Sequence, residues 1–216
     1  EGTWFVGVDA LPTDAEGRLP GGPPLPRAAR APLEALLGPL PPLHPAQLSV
    51  VWPGYPRPRR GESEAAFRYR ARRDAAHVDG LLPEGPERRR HLREPHVFIL
   101  GLPLTEAGEG ASPLVVWDGS HEIMRAAFAA ALEGLAPERW GEADLTEPYH
   151  AARRRVFERC PRVALPARPG EAVLVHRLAL HGIAPWEAGA AAPPEGRMIA
   201  YFRPEFDAPR RWLDAP

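Results

Sequence analysis

The chain predicts a mainly β protein with peripheral helices, an α+β architecture of the sandwich or jelly-roll kind. Three observations carry this. Short runs of branched and aromatic residues recur along the sequence, each bounded by Pro or Gly. Helical spacing is confined to a few segments, and the two kinds do not alternate as βαβ units would. A length of 216 residues predicts one domain over 1–216, with a core at about 47–204 and a Pro-rich wrapping segment at about 12–46.

Thr3 to Val8 reads as the first strand, from its aromatic and β-branched residues. Arg27 to Leu37 has helical spacing and ends at Gly38, a suitable C-terminal stop. Gln47 to Trp52 is a strand halted by Pro53. From Ala66 to Asp79, the odd positions Phe67, Tyr69, Ala71, Arg73, Ala75, His77 and Asp79 alternate with Arg68, Arg70 and Arg72. That period of two predicts a strand with His77, Asp79 and Arg73 on one face and the other arginines in solvent. Further strands are expected at His96 to Leu104, Pro113 to Trp117, Arg162 to Leu165, Glu171 to Leu180 and Arg197 to Arg203. Between them, Ile123, Met124, Phe128, Ala131, Leu132 and Leu135 mark a helix that Ser120 is expected to cap. A second helix is expected over Pro148 to Arg159.

Composition removes several chemistries. All 27 basic residues are arginine, so no lysine is available for a phosphate loop, a Schiff base or a Ser-Lys pair. Cys160 is the only cysteine, which excludes a disulfide within the chain, thiolate zinc sites and iron–sulfur clusters, and it reads as a structural thiol. None of the four serines lies in a Gly-x-Ser-x-Gly elbow. The net charge of -1 argues against a nucleic-acid partner. No run is long and apolar enough to span a membrane, and the opening residues lack the pattern of a secretory leader, so a cytoplasmic location is expected.

Histidines and carboxylates are left. His77-Val78-Asp79 is the one His-x-Asp triplet, and on a strand its two side chains share a face. With a distant imidazole they would form a 2-His-1-carboxylate triad, which leaves coordination positions open and suits non-haem Fe(II). His181 is the best third ligand, because it follows an apolar strand and precedes Gly182. His176 competes, but reads as a core or edge histidine. Arg197 opens the next strand and offers a guanidinium that can clamp a carboxylate bidentately.

In order and rough spacing, His77-Val78-Asp79, then Pro113 to His121 with its Gly119-Ser120-His121 corner, then Gly170 to His176 leading to His181-Gly182, and finally Arg197, resemble the phytanoyl-CoA dioxygenase-like family. The resemblance spans about residues 66 to 204. It departs at Asp118, where the family usually has Pro, at Ile183, where a small hydroxyl residue is common, and at Trp186, near where an Asn often stands.

The resemblance implies a double-stranded β-helix, the jelly roll of the cupin-like folds. It implies that His77, Asp79 and His181 hold Fe(II), and that Arg197 holds the distal carboxylate of 2-oxoglutarate. The implied reaction consumes O₂, hydroxylates a small-molecule substrate, and releases succinate and CO₂. Arg73 and Trp186 are candidate substrate contacts; the arginines at 57–60 and 88–90 read as surface loops that a phosphate-bearing substrate such as an acyl-CoA could use. Two alternatives stay open: a cupin-like metalloenzyme that does not use 2-oxoglutarate, and a non-catalytic metal- or ligand-binding protein on the same scaffold.

Overall fold

Helices and antiparallel sheets are mixed in the computed structural model, which describes residues 2–216. The largest sheet takes β1 (Trp4–Leu11), β2 (Ala46–Val51), β5 (Phe98–Pro103), β8 (Val173–His176) and β10 (Arg197–Phe202). Its spatial order is β1-β2-β10-β5-β8, and every pairing is antiparallel. A smaller sheet sets β6 (Leu114–Trp117) between β7 (Arg162–Leu165) and β9 (His181–Ile183). A hairpin of β3 (Leu81–Glu84) and β4 (Arg89–Leu92) completes the β structure; the sequence reading did not anticipate it.

Alternation along β10 shows how the layers are built. Ala200 and Phe202 join the larger apolar core, together with Met124 and Phe128 of α3 (Ser120–Ala131) and Tyr149 and Val156 of α4 (Thr146–Arg159). Ile199 and Tyr201 point the other way, into a second cluster with Ile99, Leu114 and Val175. One face of the large sheet is therefore covered by helices, and the other meets the small sheet. Each fully buried Leu or Phe of these layers contributes about 1.5–3 kcal/mol.

The expected helix over Arg27–Leu37 forms as α1, with Gly38 past its end in the left-handed region (φ 79°). The strand expected over 66–79 does not form. Residues Glu64–Arg72 are instead a helix, α2, capped by the Ser63 hydroxyl, which accepts from the Ala66 amide. Ala and Arg are strong helix formers, and the Glu64–Arg68 ion pair lies one helical turn apart. These local preferences override the period-two pattern. Arg70 is consequently not solvated: it is buried and paired with Glu62.

The C-terminal residues, including α5 (Arg211–Asp214), are docked by a buried cation. Arg177 donates to the carbonyls of Trp212 at 2.7 Å and Pro216 at 2.8 Å, and also to Ala215. The Trp212 ring stacks on Phe128 of α3 at 5.2 Å.

Candidate metal centre

His77 and Asp79 lie beyond α2 in an irregular segment whose backbone is fixed from both sides. Asp74 and Ala75 hold positive φ (53° each), a conformation that costs a non-glycine residue energy and persists only where the surroundings impose it. Here the buried Asp74 carboxylate accepts two hydrogen bonds from Arg162 of β7, at 2.7 and 2.9 Å. The turn then runs beside β9: His77 and His181 exchange backbone hydrogen bonds at 2.8 and 3.0 Å, and the Ile183 amide donates to the Asp74 carbonyl at 2.8 Å. This pairing brings together two ligands from one end of the sequence and one from the other.

Ligand atoms of His77, Asp79 and His181 all lie within 4.8 Å of one another. The two imidazoles are anchored alike. Nδ1 of His77 is 2.9 Å from the Ala75 carbonyl, and Nδ1 of His181 is 2.9 Å from the Ala179 carbonyl. A carbonyl only accepts, so each Nδ1 carries a proton, and Nε2 is the nitrogen left to ligate a metal once His77 gives up the proton it shares with Asp79. Both Nε2 atoms turn toward one oxygen: Asp79 Oδ1 is 3.1 Å from that of His77 and 3.7 Å from that of His181. The other oxygen, Oδ2, is 3.3 Å from Arg203 Nη1.

The electrostatics mark the centre as a place for positive charge. Burial pushes the Asp79 carboxyl up, but the hydrogen bond from His77 and the charges of His77 and Arg203 outweigh it and hold it well below the carboxylate range. Burial pulls the His77 ring down, yet Asp79 raises it above the ordinary histidine value. His181, pulled down to about 4 by burial and then by the neighbouring His77, stays neutral. A carboxylate facing two imidazole nitrogens thus draws one positive charge into their midst. A divalent cation supplies it while leaving both Nδ1 protons in place, so the donor set fits such an ion.

The cavity in front of these groups has a volume of about 160 Å³. It lies between the two sheets, with Trp4 and Val6 of β1, Ser49 of β2, Ile99 of β5, Leu114 of β6 and Tyr201 of β10 among its walls. Arg197 does not line it. It begins β10, is only 7% exposed, and has an Nη1 that is buried without a hydrogen-bond partner. Its guanidinium borders a void of about 10 Å³ whose walls include Leu114 and Tyr201, both of which also line the main cavity. A buried guanidinium nitrogen without a partner among the described residues is the feature that an anionic ligand group would satisfy.

Neither expected substrate contact reaches the cavity. Because 64–72 is helical, Arg73 caps α2 and lies 4.5 Å over the Phe157 ring, exposed on its other side. Trp186 packs against the Val51, Tyr55 and Ile183 cluster. His176 lies apart from the triad, its Nε2 3.0 Å from Arg125 Nη2 and its ring 4.8 Å from that of His121. Ser120 is not a helix cap: Gly119 takes that position, and the Ser120 hydroxyl accepts from the Leu180 amide at 2.9 Å, one residue before His181. Arg203 escaped the sequence reading. The signal was present, since Arg197, Ile199, Tyr201 and Arg203 share one parity, with Arg203 immediately past the strand.

No protein-family model matches the chain, and no curated protein matches it. Among solved structures it is similar to the non-heme alpha-ketoglutarate-dependent carbocyclase SnoK from nogalamycin biosynthesis, with 15% identity and a TM-score of 0.37. That match covers 75% of this chain and 49% of the other, so the chain spans about half the length of that structure.

Proposed function

We propose that this chain is an Fe(II)- and 2-oxoglutarate-dependent oxygenase that hydroxylates a small molecule, built as one domain on a double-stranded β-helix. The observation that carries the reading is an open three-ligand group, His77, Asp79 and His181, with the buried Nη1 of Arg197 beside a separate small void that shares the walls Leu114 and Tyr201 with the triad's cavity. Ferrous iron, when bound, supplies O₂ activation coupled to oxidative decarboxylation of 2-oxoglutarate.

The chain's own residues supply position and environment. The carbonyls of Ala75 and Ala179 fix both imidazoles with Nε2 free to ligate. Arg203 engages Oδ2 of Asp79 and so directs Oδ1 toward the two rings. Arg197 receives the distal carboxylate of the co-substrate, which ends the isolation of its Nη1. Ile99, Leu114 and Ile183 present apolar walls that limit water near the reacting groups.

Anaerobic titration with Fe(II) and 2-oxoglutarate tests the reading. A metal-to-ligand charge-transfer band is expected with the wild-type protein and not with Asp79→Ala. Arg197→Ala should retain iron but weaken 2-oxoglutarate binding at least tenfold. Folded wild-type protein that binds iron without giving the band would favour the cupin-like metalloenzyme that does not use 2-oxoglutarate. Failure to bind iron at all would leave the ligand-binding alternative.

A further inference from the structure

Trp4 is a wall shared by two spaces. On one side lies the cavity of the triad. On the other is a pocket of about 270 Å³ that Trp4 lines together with Arg57, Arg59, Arg60 and Arg70. Among the described residues, no carboxylate lines this second pocket.

The pocket is held in shape from beneath. Buried Arg70 gives two hydrogen bonds of 2.6 Å to the Glu62 carboxylate and a third, of 2.7 Å, to the Arg57 carbonyl. Glu62 also accepts from the Arg59 amide at 3.1 Å. Arg70 and Glu62 neutralise each other and fix the loop. They leave Arg57, Arg59 and Arg60 exposed, without a carboxylate partner among the described residues. The Arg59 guanidinium lies 5.4 Å from the Trp4 ring centroid.

Three guanidinium groups within four positions repel one another, and an anion placed among them relieves that repulsion. A carboxylate occupies one such fork. A phosphate, with more oxygens and up to two charges, can engage several. On the other side of Trp4 the surroundings change character, since Val6, Ile99, Leu114 and Ile183 are apolar walls of the triad's cavity.

We infer that Arg57, Arg59 and Arg60 bind the phosphate head of the substrate, and that its apolar body passes Trp4 to reach the cavity of His77, Asp79 and His181. The word substrate rests on the oxygenase reading. The two-part ligand site rests only on the pockets and their shared indole.

Isothermal titration with inorganic phosphate and with butyl and hexyl phosphate tests this. Affinity is expected to rise along that series, with hexyl phosphate binding at least tenfold tighter than inorganic phosphate. An Arg59→Ala/Arg60→Ala variant should weaken every ligand at least tenfold. Val6→Asp should weaken hexyl phosphate and spare inorganic phosphate. Thermal denaturation of each variant verifies that the fold is retained. No saturable binding, or binding that the double arginine variant leaves unchanged, overturns the inference. Inorganic phosphate binding as tightly as hexyl phosphate assigns the pocket to free phosphate and overturns it too. These affinities are measured on wild-type protein without iron or 2-oxoglutarate. If they hold while the iron and 2-oxoglutarate titration fails, the ligand site stands and the oxygenase reading alone falls.

Discussion

Gly182 passes so close to the Asp74 carbonyl that a Cβ at 182 would collide with it, and the Ala76 Cα lies next in the same direction. The need for glycine here comes from that backbone approach, which seats β9 against the turn carrying His77. Gly182→Ala should force the strand outward, costing about 1–3 kcal/mol of stability as overpacking. It should also separate His181 from the other two ligands. Urea denaturation together with Mn(II) titration measures both effects, and a variant matching wild type in each would contradict this account.

Ser120 joins the start of α3 to the residue that precedes the distal histidine. The bond is buried, and the Ser120→Ala variant leaves the Leu180 amide without its partner. A loss of about 1–3 kcal/mol in chemical denaturation is expected. Ser120→Thr, which keeps the hydroxyl, should recover more of the stability than Ser120→Val, which removes it at similar size.

Acid should loosen the arginine loop before it disturbs the triad's backbone. The hydrogen bond from Arg70 holds the Glu62 carboxyl down to about 2, against an ordinary value of 4.5. A depressed folded-state value means that the unfolded chain takes up the proton first. The stabilisation is therefore full above about pH 5 and is lost as pH falls toward 2. Denaturation midpoints measured across that window should fall less steeply for Glu62→Gln than for wild type. Parallel curves would refute the assignment.

Arg177 is a buried cation whose partners are backbone carbonyls of the C-terminal residues. Arg177→Met keeps much of the volume but leaves those carbonyls unpaired. A cost of about 3 kcal/mol is expected, the scale of losing hydrogen bonds from a charged group. Limited proteolysis should cut first near residues 207–216 in the variant, and a wild-type cleavage pattern would count against the docking role.

Much of the sheet was legible because short apolar and β-branched runs bounded by Pro or Gly mark strands even where, as over Arg162–Leu165, most residues are exposed. Arg162–Leu165 matched to the residue, and 197–203 nearly so. The three residues that could hold a metal stood out for a different reason: with lysine absent and one cysteine, few residue types were left to carry chemistry. The segment before them was misread because Phe67, Tyr69 and Ala71 satisfy a period of two, whereas Ser63 and the Glu64–Arg68 pair decide for a helix. The strands β3 and β4 have four residues each, the first interrupted by Pro83 and the second mostly basic, so they left no alternating apolar pattern to find. Arg203 was marked by its parity with Arg197, Ile199 and Tyr201, but its partner Asp79 lies 124 positions away, and the Ser120 bond spans 60 positions; no local pattern encodes either contact.

The paired amides and carbonyls of His77 and His181 have a consequence for how an ion would arrive. Those bonds join main chain to main chain and do not run through the imidazoles, so removing an ion should leave them in place. Stripping the ion should leave the far-ultraviolet dichroism untouched, and the empty protein should accept a fresh ion as fast as desolvation allows.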